Sequence, residues 1–184
     1  PLLYLAVNIA YTLHLKHVVI LDALCIAMGF LLRIVAGGEA IGVPCSSWLI
    51  LCTLFVSLLL AFLKRRGELK KLDELAGLHR KTLLDYNPDF LDRLTGPLAA
   101  MTVMAYALYT VDQKTVTKLG GSRDLLLTVP LVIFAVFRYL YLADRTDRGG
   151  DPTRTLTSDP PILVAGLLWL ALSALVVYGH GPGL

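Results

Sequence analysis

The stretch VVILDALCIAMGFLLRIVA, residues 18–36, decides the fold class of this chain, because only two of its 19 residues are charged. A helix that crosses a bilayer needs about 20 predominantly apolar residues. Four further blocks of 17–19 residues have the same character, at 47–63, 94–111, 125–143 and 162–178, and residues 1–15 form a shorter sixth block. The sequence therefore predicts an all-α fold, a polytopic transmembrane helix bundle that makes up a single domain.

Composition and pattern exclude other classes of protein. The 184 residues are 56% hydrophobic and 17% charged, whereas soluble domains carry roughly 45–50% and ~25%. Backbone groups cannot stay unpaired in lipid, and barrel strands would alternate apolar and polar residues, so the apolar blocks must be helices. The net charge of +3, without basic stretches interleaved with aromatic residues, predicts no nucleic-acid partner. Cys25, Cys45 and Cys52 lack metal-ligand spacing and indicate apolar fillers.

The charges on the connections predict the orientation in the membrane. Connections at 11–17, 64–93 and 144–161 hold twelve Lys and Arg residues, whereas those at 37–46, 112–124 and 179–184 hold three. We expect an integral plasma-membrane protein, and the positive-inside rule predicts that its loops 64–93 and 144–161 lie in the cytoplasm. Leucines three residues apart predict an amphipathic helix over 68–81. This helix is either a cap over the mouth of the bundle or an ordinary membrane-surface helix.

Three charged residues lie inside the apolar blocks, namely Asp22, Arg33 and Arg138. Each costs at least roughly 2.5–3.5 kcal/mol at the centre of a membrane, so each is expected to face a partner or a polar interior. Asp22 and Arg33 are eleven positions apart, which places them on one helix face about 16 Å apart. That face borders either a cavity or a neighbouring helix, for instance through an ion pair of Asp22 with Arg138. Arg138 also lies within snorkelling distance of the cytoplasmic end.

A group of cations is predicted to converge on the cytoplasmic mouths of the helices: Lys16, Lys64, Arg65 and Arg66. Guanidinium forks and lysine ammonium groups are the usual means of holding phosphate or diphosphate. Topology alone would also place a basic triplet after a span, and that alternative stays open. Glu68 follows the triplet within one turn. A basic mouth with apolar walls suits a lipid that carries a phosphate head group.

Several segments carry a resemblance to a known family. YTLHLKHVVILDALCIAMGFLLR, residues 11–33, resembles the junction of the fourth and fifth helices in the UbiA-type membrane prenyltransferase superfamily. KRRGEL, residues 64–69, is similar to the second signature of the decaprenyl-phosphate phosphoribosyltransferase branch, where most of the superfamily has D-x-x-x-D. Further segments that resemble this branch are LLDYNPDFLDRL at 83–94, AYALYT at 105–110 and FRYLYL at 137–142. The resemblance covers the whole chain and implies six of the nine helices of the UbiA-type fold.

The resemblance implies a transfer of the 5-phosphoribosyl group from 5-phosphoribosyl 1-diphosphate to decaprenyl phosphate, a polyprenyl phosphate lipid, in cell-wall arabinan precursor synthesis. Diphosphate is released and Mg²⁺ is required. Asp22 and Glu68 are the catalytic candidates, which would orient cations or touch ribose hydroxyls. A homo-oligomer is a further expectation. The substrate-binding candidates are Tyr11, Lys16, Arg33, Lys64, Arg65, Arg66 and Arg138.

One departure from the superfamily pattern bears on the metal. The first signature of the superfamily, N-D-x-x-D-x-x-x-D, binds Mg²⁺ between the second and third helices, and these residues contain no counterpart. We therefore expect an amino-terminally incomplete chain that has no metal site of its own and is inactive alone. Two alternatives stay open, a UbiA-type prenyltransferase with another acceptor and a non-enzymatic multi-pass membrane protein. The sequence KRRGE in place of an acidic second signature argues against the first.

Overall fold

The computed structural model of the chain describes residues 11–12, 15–43, 45–74, 86–145 and 156–180. Within these ranges the structure is helical and contains no strand, so the predicted all-α fold is confirmed. Two short 3-10 turns lie at Leu15–His17 and Asp124–Thr128. The helices are α1 Leu21–Ala40, α2 Ser47–Glu74, α3 Pro88–Val111, α4 Gln113–Lys118, α5 Val129–Arg145 and α6 Pro160–His180.

Five segments of the described chain are long and apolar enough to cross a membrane: Leu21–Ala40, Ser47–Leu69, Pro88–Val111, Asp124–Arg145 and Pro160–Gly179. They coincide with the five full-length blocks predicted from the sequence, and the protein is therefore a multi-pass membrane protein. The sixth predicted block, 1–15, lies almost entirely outside the described residues.

The boundaries around the predicted loop 64–93 differ from the expectation. Helix α2 continues to Glu74, because the Lys, Arg, Glu and Leu residues after position 63 are good helix formers that need not stop where the apolar block stops. Helix α3 begins at Pro88, where Asn87 accepts a hydrogen bond from the backbone N–H of Asp89 at 2.8 Å. Of the predicted amphipathic helix 68–81, residues 68–74 are the end of α2 and the remainder lies outside the described residues.

The main core lies at one end of the bundle, where α1, α3 and α6 begin and α2 and α5 end. Helix α2 packs against both α1 and α3, while α5 packs against α3 and α6. Small residues let these helices approach closely, and both Ala23 and Ala99 are fully buried. They share this core with Leu59, Leu63 and Leu91.

A chain of hydrogen bonds joins the helices nearer the other end. The indole Nε1–H of Trp169 on α6 donates to the hydroxyl of Tyr106 on α3 at 2.7 Å. The hydroxyls of Tyr106 and Thr128 lie 2.6 Å apart, and Thr128 donates to the carbonyl of Leu125 at 2.6 Å. These buried polar groups are thus satisfied by one another.

We expect Ala99→Leu to lower the free energy of unfolding by about 1–3 kcal/mol, because the added atoms must enter a filled interface between α2 and α3. The neighbouring Ala100 is exposed, and Ala100→Leu should change stability much less. Denaturant-induced unfolding in detergent micelles measures both variants. Equal losses in the two variants would contradict this packing.

Candidate functional site

A buried carboxylate, Asp22, lies at the centre of the candidate site. Its side chain is in the first turn of α1 and the residue is 2% exposed. Oδ2 accepts a hydrogen bond from Nε of Arg65 on α2 at 2.9 Å. Oδ1 accepts from the hydroxyl of Tyr86 at 2.5 Å and from the backbone N–H of Ala23 at 2.8 Å. Asp22 therefore connects α1, the end of α2 and the residues that lead into α3.

The backbone just before α1 adopts an unusual conformation that brings a further N–H group to the hydroxyl of Tyr86. Ile20 has a φ of 73°, in the left-handed region that β-branched residues rarely adopt. In this conformation its N–H donates to the hydroxyl of Tyr86 at 2.7 Å. The Tyr86 oxygen thus accepts one hydrogen bond and donates another to Asp22.

The guanidinium of Arg65 is buried and held by two carboxylates. The residue is 5% exposed. Besides the bond to Asp22, Nη1 donates to Oε2 of Glu68, three residues further along α2, at 2.7 Å. Its second terminal nitrogen, Nη2, makes no hydrogen bond within the described part of the chain. Arg65 therefore has a fixed orientation, and the described residues leave its Nη2 available to a ligand.

Arg66 is engaged differently, although it is the next residue. Its Nε donates to Asp92 on α3, while Nη1 donates to the carbonyl of Ala143 at 3.2 Å and Nη2 to Asp144 at 2.8 Å, both on α5. All three nitrogens thus already have acceptors. Arg66 joins α2 to α3 and α5 through three of its five N–H groups, which these acceptors occupy. Asp144, whose side chain is 71% exposed, is the most accessible of them.

The environment of Tyr86 keeps its hydroxyl protonated. Burial raises the pKa of Tyr86 well above its usual range, and the hydrogen bond to the Asp22 carboxylate raises this pKa further. Tyr86 therefore remains a hydrogen-bond donor throughout the physiological range of pH.

Arg138 lies in a separate contact between α5 and the start of α6. Its Nη2 and Nε donate to the two carboxylate oxygens of Asp159 at 3.0 and 3.3 Å. The alternative pair of Asp22 with Arg138 is wrong, because Arg65 on the adjoining helix α2 lies against Asp22, while Asp159 lies within reach of Arg138. Hydrogen bonding from Arg138 holds the pKa of Asp159 below its usual value.

The other predicted residues are only partly gathered at this site. Lys64 is exposed beside Arg65. Arg33 lies about 16 Å further along α1 than Asp22, where its guanidinium is 5.5 Å from the Phe30 ring. Lys16 lies in the 3-10 turn before α1, but its side chain is not among the described parts of the structure. Most residues around Tyr11 also lie outside the described ranges.

A cavity of about 710 Å³ lies at the opposite end of the bundle. Its lining includes Ser46, Leu49, Tyr109, Lys118 and Val177. Leu49 and Arg65 are separated by sixteen residues of α2, which corresponds to about 24 Å. The cavity contains none of the predicted site residues and is distinct from the site around Asp22.

Sequence reasoning did not assign Tyr86, Asp92 or Asp159 to a site. A weak signal existed for Tyr86, which directly precedes the Asn-Pro start of α3. The partners of all three lie at least 21 residues away in the chain, and no spacing rule identifies contacts of that kind.

We expect Asp22→Ala to lower the free energy of unfolding by about 3–5 kcal/mol, because it leaves the buried guanidinium of Arg65 without its main counter-ion. Glu68→Ala is the matched control, since that carboxylate is 31% exposed. Its loss should cost about 1 kcal/mol or less. Unfolding in detergent micelles measures both, and a larger loss for Glu68→Ala would contradict the central role of Asp22.

The ion pair of Arg138 with Asp159 should make stability depend on pH in the acidic range. Because the folded-state pKa of Asp159 is lowered, its stabilising contribution is complete above the ordinary value of 3.8 and is lost as the pH falls through the folded pKa. The melting temperature of Asp159→Asn should therefore be below that of the parent protein at pH 7, and the difference should shrink below about pH 3.8. A difference that grows on acidification would contradict this assignment.

Comparisons with known proteins agree with the resemblance read from the sequence. No protein-family model matches the chain. A decaprenyl-phosphate phosphoribosyltransferase from Corynebacterium glutamicum is 33% identical over 175 residues, which cover 95% of this chain and 52% of that protein. The protein of that name from Mycolicibacterium smegmatis is 31% identical over 183 residues, 95% of this chain and 56% of the relative.

The Mycobacterium tuberculosis protein of the same name is 29% identical over 177 residues, which cover 96% of this chain and 57% of the relative. The chain thus spans about half the length of the curated relatives it matches. The branch recognised from residues 11–33 and 64–69 is therefore confirmed, and over nearly its whole length this chain is a relative of the decaprenyl-phosphate phosphoribosyltransferases.

Proposed function

We propose that the protein containing this chain transfers the 5-phosphoribosyl group of 5-phosphoribosyl 1-diphosphate to decaprenyl phosphate, as a step in cell-wall arabinan precursor synthesis. The observation that carries the proposal is the buried, doubly held guanidinium of Arg65. It lies within the segment that resembles the second signature of this branch, KRRGEL at residues 64–69. The names of the curated relatives support the same reaction.

Both substrates carry phosphate groups, and the reaction moves negative charge onto one of them. The bond between the anomeric carbon and the diphosphate oxygen breaks, and its electron pair leaves with diphosphate. A phosphate oxygen of the lipid forms the new bond to that carbon. Donors that are already oriented stabilise such developing charge without reorganising. Nη2 of Arg65, fixed in direction by Asp22 and Glu68, is suited to this role.

The remaining cations have different proposed roles. Asp22 and Glu68 offset the charge of Arg65. The electrostatic attraction of an anionic substrate is therefore assigned to Lys64, which is exposed, and to Lys16. Arg66 holds α2, α3 and α5 together, and its orientation toward these acceptors makes it less available to a phosphate than Lys64. Tyr11, Arg33 and Arg138 remain proposed substrate-binding residues.

Mg²⁺ is proposed for the whole protein, but the described residues do not fit a magnesium site. The carboxylates of Asp22 and Glu68 face Arg65, and no group of three or more His, Cys, Asp or Glu residues comes together in the described ranges. No step of the proposed reaction is therefore assigned to a metal held by these residues.

The proposed setting is the plasma membrane, with the Arg65 end of the bundle facing the cytoplasm. The excess of Lys and Arg in 64–93 and 144–161 supports this orientation. A soluble, charged donor such as 5-phosphoribosyl 1-diphosphate would then reach the site from the cytoplasm.

The proposal is tested with the gene product that contains these residues, in vesicles with decaprenyl phosphate and labelled 5-phosphoribosyl 1-diphosphate. We expect label to enter the lipid fraction, and Arg65→Ala to lower kcat/KM by about 10²–10³-fold, as for the loss of one preorganised donor. Arg65→Lys should restore little, because an ammonium group cannot reproduce the planar fork.

Arg123→Ala serves as the control, because Arg123 is exposed beside the turn at Asp124–Thr128, at the opposite end of the bundle. It should retain full transfer. Absence of labelled lipid with the parent protein would overturn the proposed function, and an unchanged kcat/KM for Arg65→Ala would overturn the role of Arg65.

A further inference from the structure

We propose that Tyr86 is a positioning residue whose hydroxyl fixes the plane of the Asp22 carboxylate and thereby the direction of the Arg65 donors. The inference rests on the proposed function for its kinetic consequence, whereas its structural part stands on the described contacts alone.

The side chain of Tyr86 is buried, and both its ring and its hydroxyl make contacts. The residue is 4% exposed, and its ring packs edge-on against Phe62 of α2, with ring centroids 6.5 Å apart. Its hydroxyl lies 2.5 Å from Oδ1 of Asp22 and 2.7 Å from the backbone nitrogen of Ile20. A phenol placed in this way has little freedom to rotate away from the carboxylate.

The two oxygens of Asp22 have different partners. Oδ1 accepts from the Tyr86 hydroxyl and from the backbone N–H of Ala23, whereas Oδ2 accepts from Arg65. The terminal torsion of an aspartate is broad, so a contact on one oxygen is needed to set the direction of the other. Because the Arg65 guanidinium is planar, the orientation of its Nε–H at Asp22 also sets where Nη2 points.

The backbone conformation at Ile20 is consistent with the donation from Tyr86 to Asp22. The Ile20 N–H occupies an acceptor position of the Tyr86 oxygen, so the phenolic hydrogen is directed to the only carboxylate it contacts among the described residues. A left-handed conformation at a β-branched residue persists only where its surroundings enforce it, and such outliers cluster at functional sites. Here the outlier orients the hydroxyl on which the ion pair depends.

The kinetic test compares Tyr86→Phe with Tyr106→Phe. Both remove one hydroxyl that makes buried hydrogen bonds, but Tyr106 lies in the separate network with Thr128 and Trp169. We expect Tyr86→Phe to lower kcat/KM for 5-phosphoribosyl 1-diphosphate about tenfold, in line with losing a hydrogen bond to a charged group. Tyr106→Phe should leave it within about twofold.

A double-mutant cycle then separates positioning from general loosening. In an Asp22→Asn background, Tyr86→Phe should have almost no further effect on kcat/KM, because the carboxylate that it orients is already gone. Fully additive losses, or equal losses in Tyr86→Phe and Tyr106→Phe, would overturn the positioning role.

A second measurement does not depend on activity. Arg65 is modified with phenylglyoxal in the intact protein, and its rate of modification is followed by mass spectrometry. We expect Arg65 to react several-fold faster in Tyr86→Phe than in the parent protein, and at the parent rate in Tyr106→Phe. An unchanged rate in Tyr86→Phe would overturn the inference, whereas absence of transfer by the parent protein would overturn only the proposed function.

Discussion

The ion pair between Asp22 and Arg65 is the constraint on which this end of the bundle depends. Both side chains are almost fully buried, and burying charges is costly unless they are paired and their remaining hydrogen bonds are satisfied. Asp22 meets this condition with donors from Arg65, Tyr86 and its own helix. The start of α1, the end of α2 and the entry to α3 must therefore come together at one place, and the main core lies around it.

The basic triplet 64–66, near the end of the second described span, shows how helix geometry separates neighbouring residues. Successive residues of an α-helix point about 100° apart. Lys64 consequently points to solvent, Arg65 into the ion pair with Asp22, and Arg66 across to α3 and α5. The three neighbouring cations therefore have different roles. Lys64 faces solvent, Arg65 is an oriented hydrogen-bond donor, and Arg66 connects α2 to α3 and α5. Of the three, Arg65 is the most deeply buried, and its Nη2 makes no hydrogen bond to the described residues.

The two ends of the bundle contain different kinds of polar contact. The Asp22 end contains the ion pairs of Arg65, Arg66 and Arg138. The other end is held by the neutral chain from Trp169 through Tyr106 to Thr128, beside a cavity with a partly apolar lining. This difference matches the uneven distribution of Lys and Arg along the chain, and it concentrates oriented charge where phosphate chemistry is proposed.

The class of protein, the five apolar segments long enough to span a membrane and the branch of relatives all followed from the sequence alone. Apolar block length and charge distribution are local properties, and a bilayer permits few structures that satisfy them. The sequence also predicted that Asp22, Arg65, Arg66 and Glu68 would matter, from their chemistry and from the KRRGEL segment. It misplaced the edges of the loop 64–93, because helix-forming charged residues extend α2 beyond the apolar block.

Which charges meet depends on tertiary packing and could not be predicted from the sequence. The pairs of Asp22 with Arg65, Arg66 with Asp92 and Arg138 with Asp159 join residues 21–43 positions apart, and the bond from Tyr86 to Asp22 spans 64. Such contacts depend on how helices are rotated about their axes and packed, and each cation had several possible partners in the sequence. For the buried pair of Asp22 and Arg65, burial also restricts the choice, because a buried charge is costly unless its neighbours satisfy it.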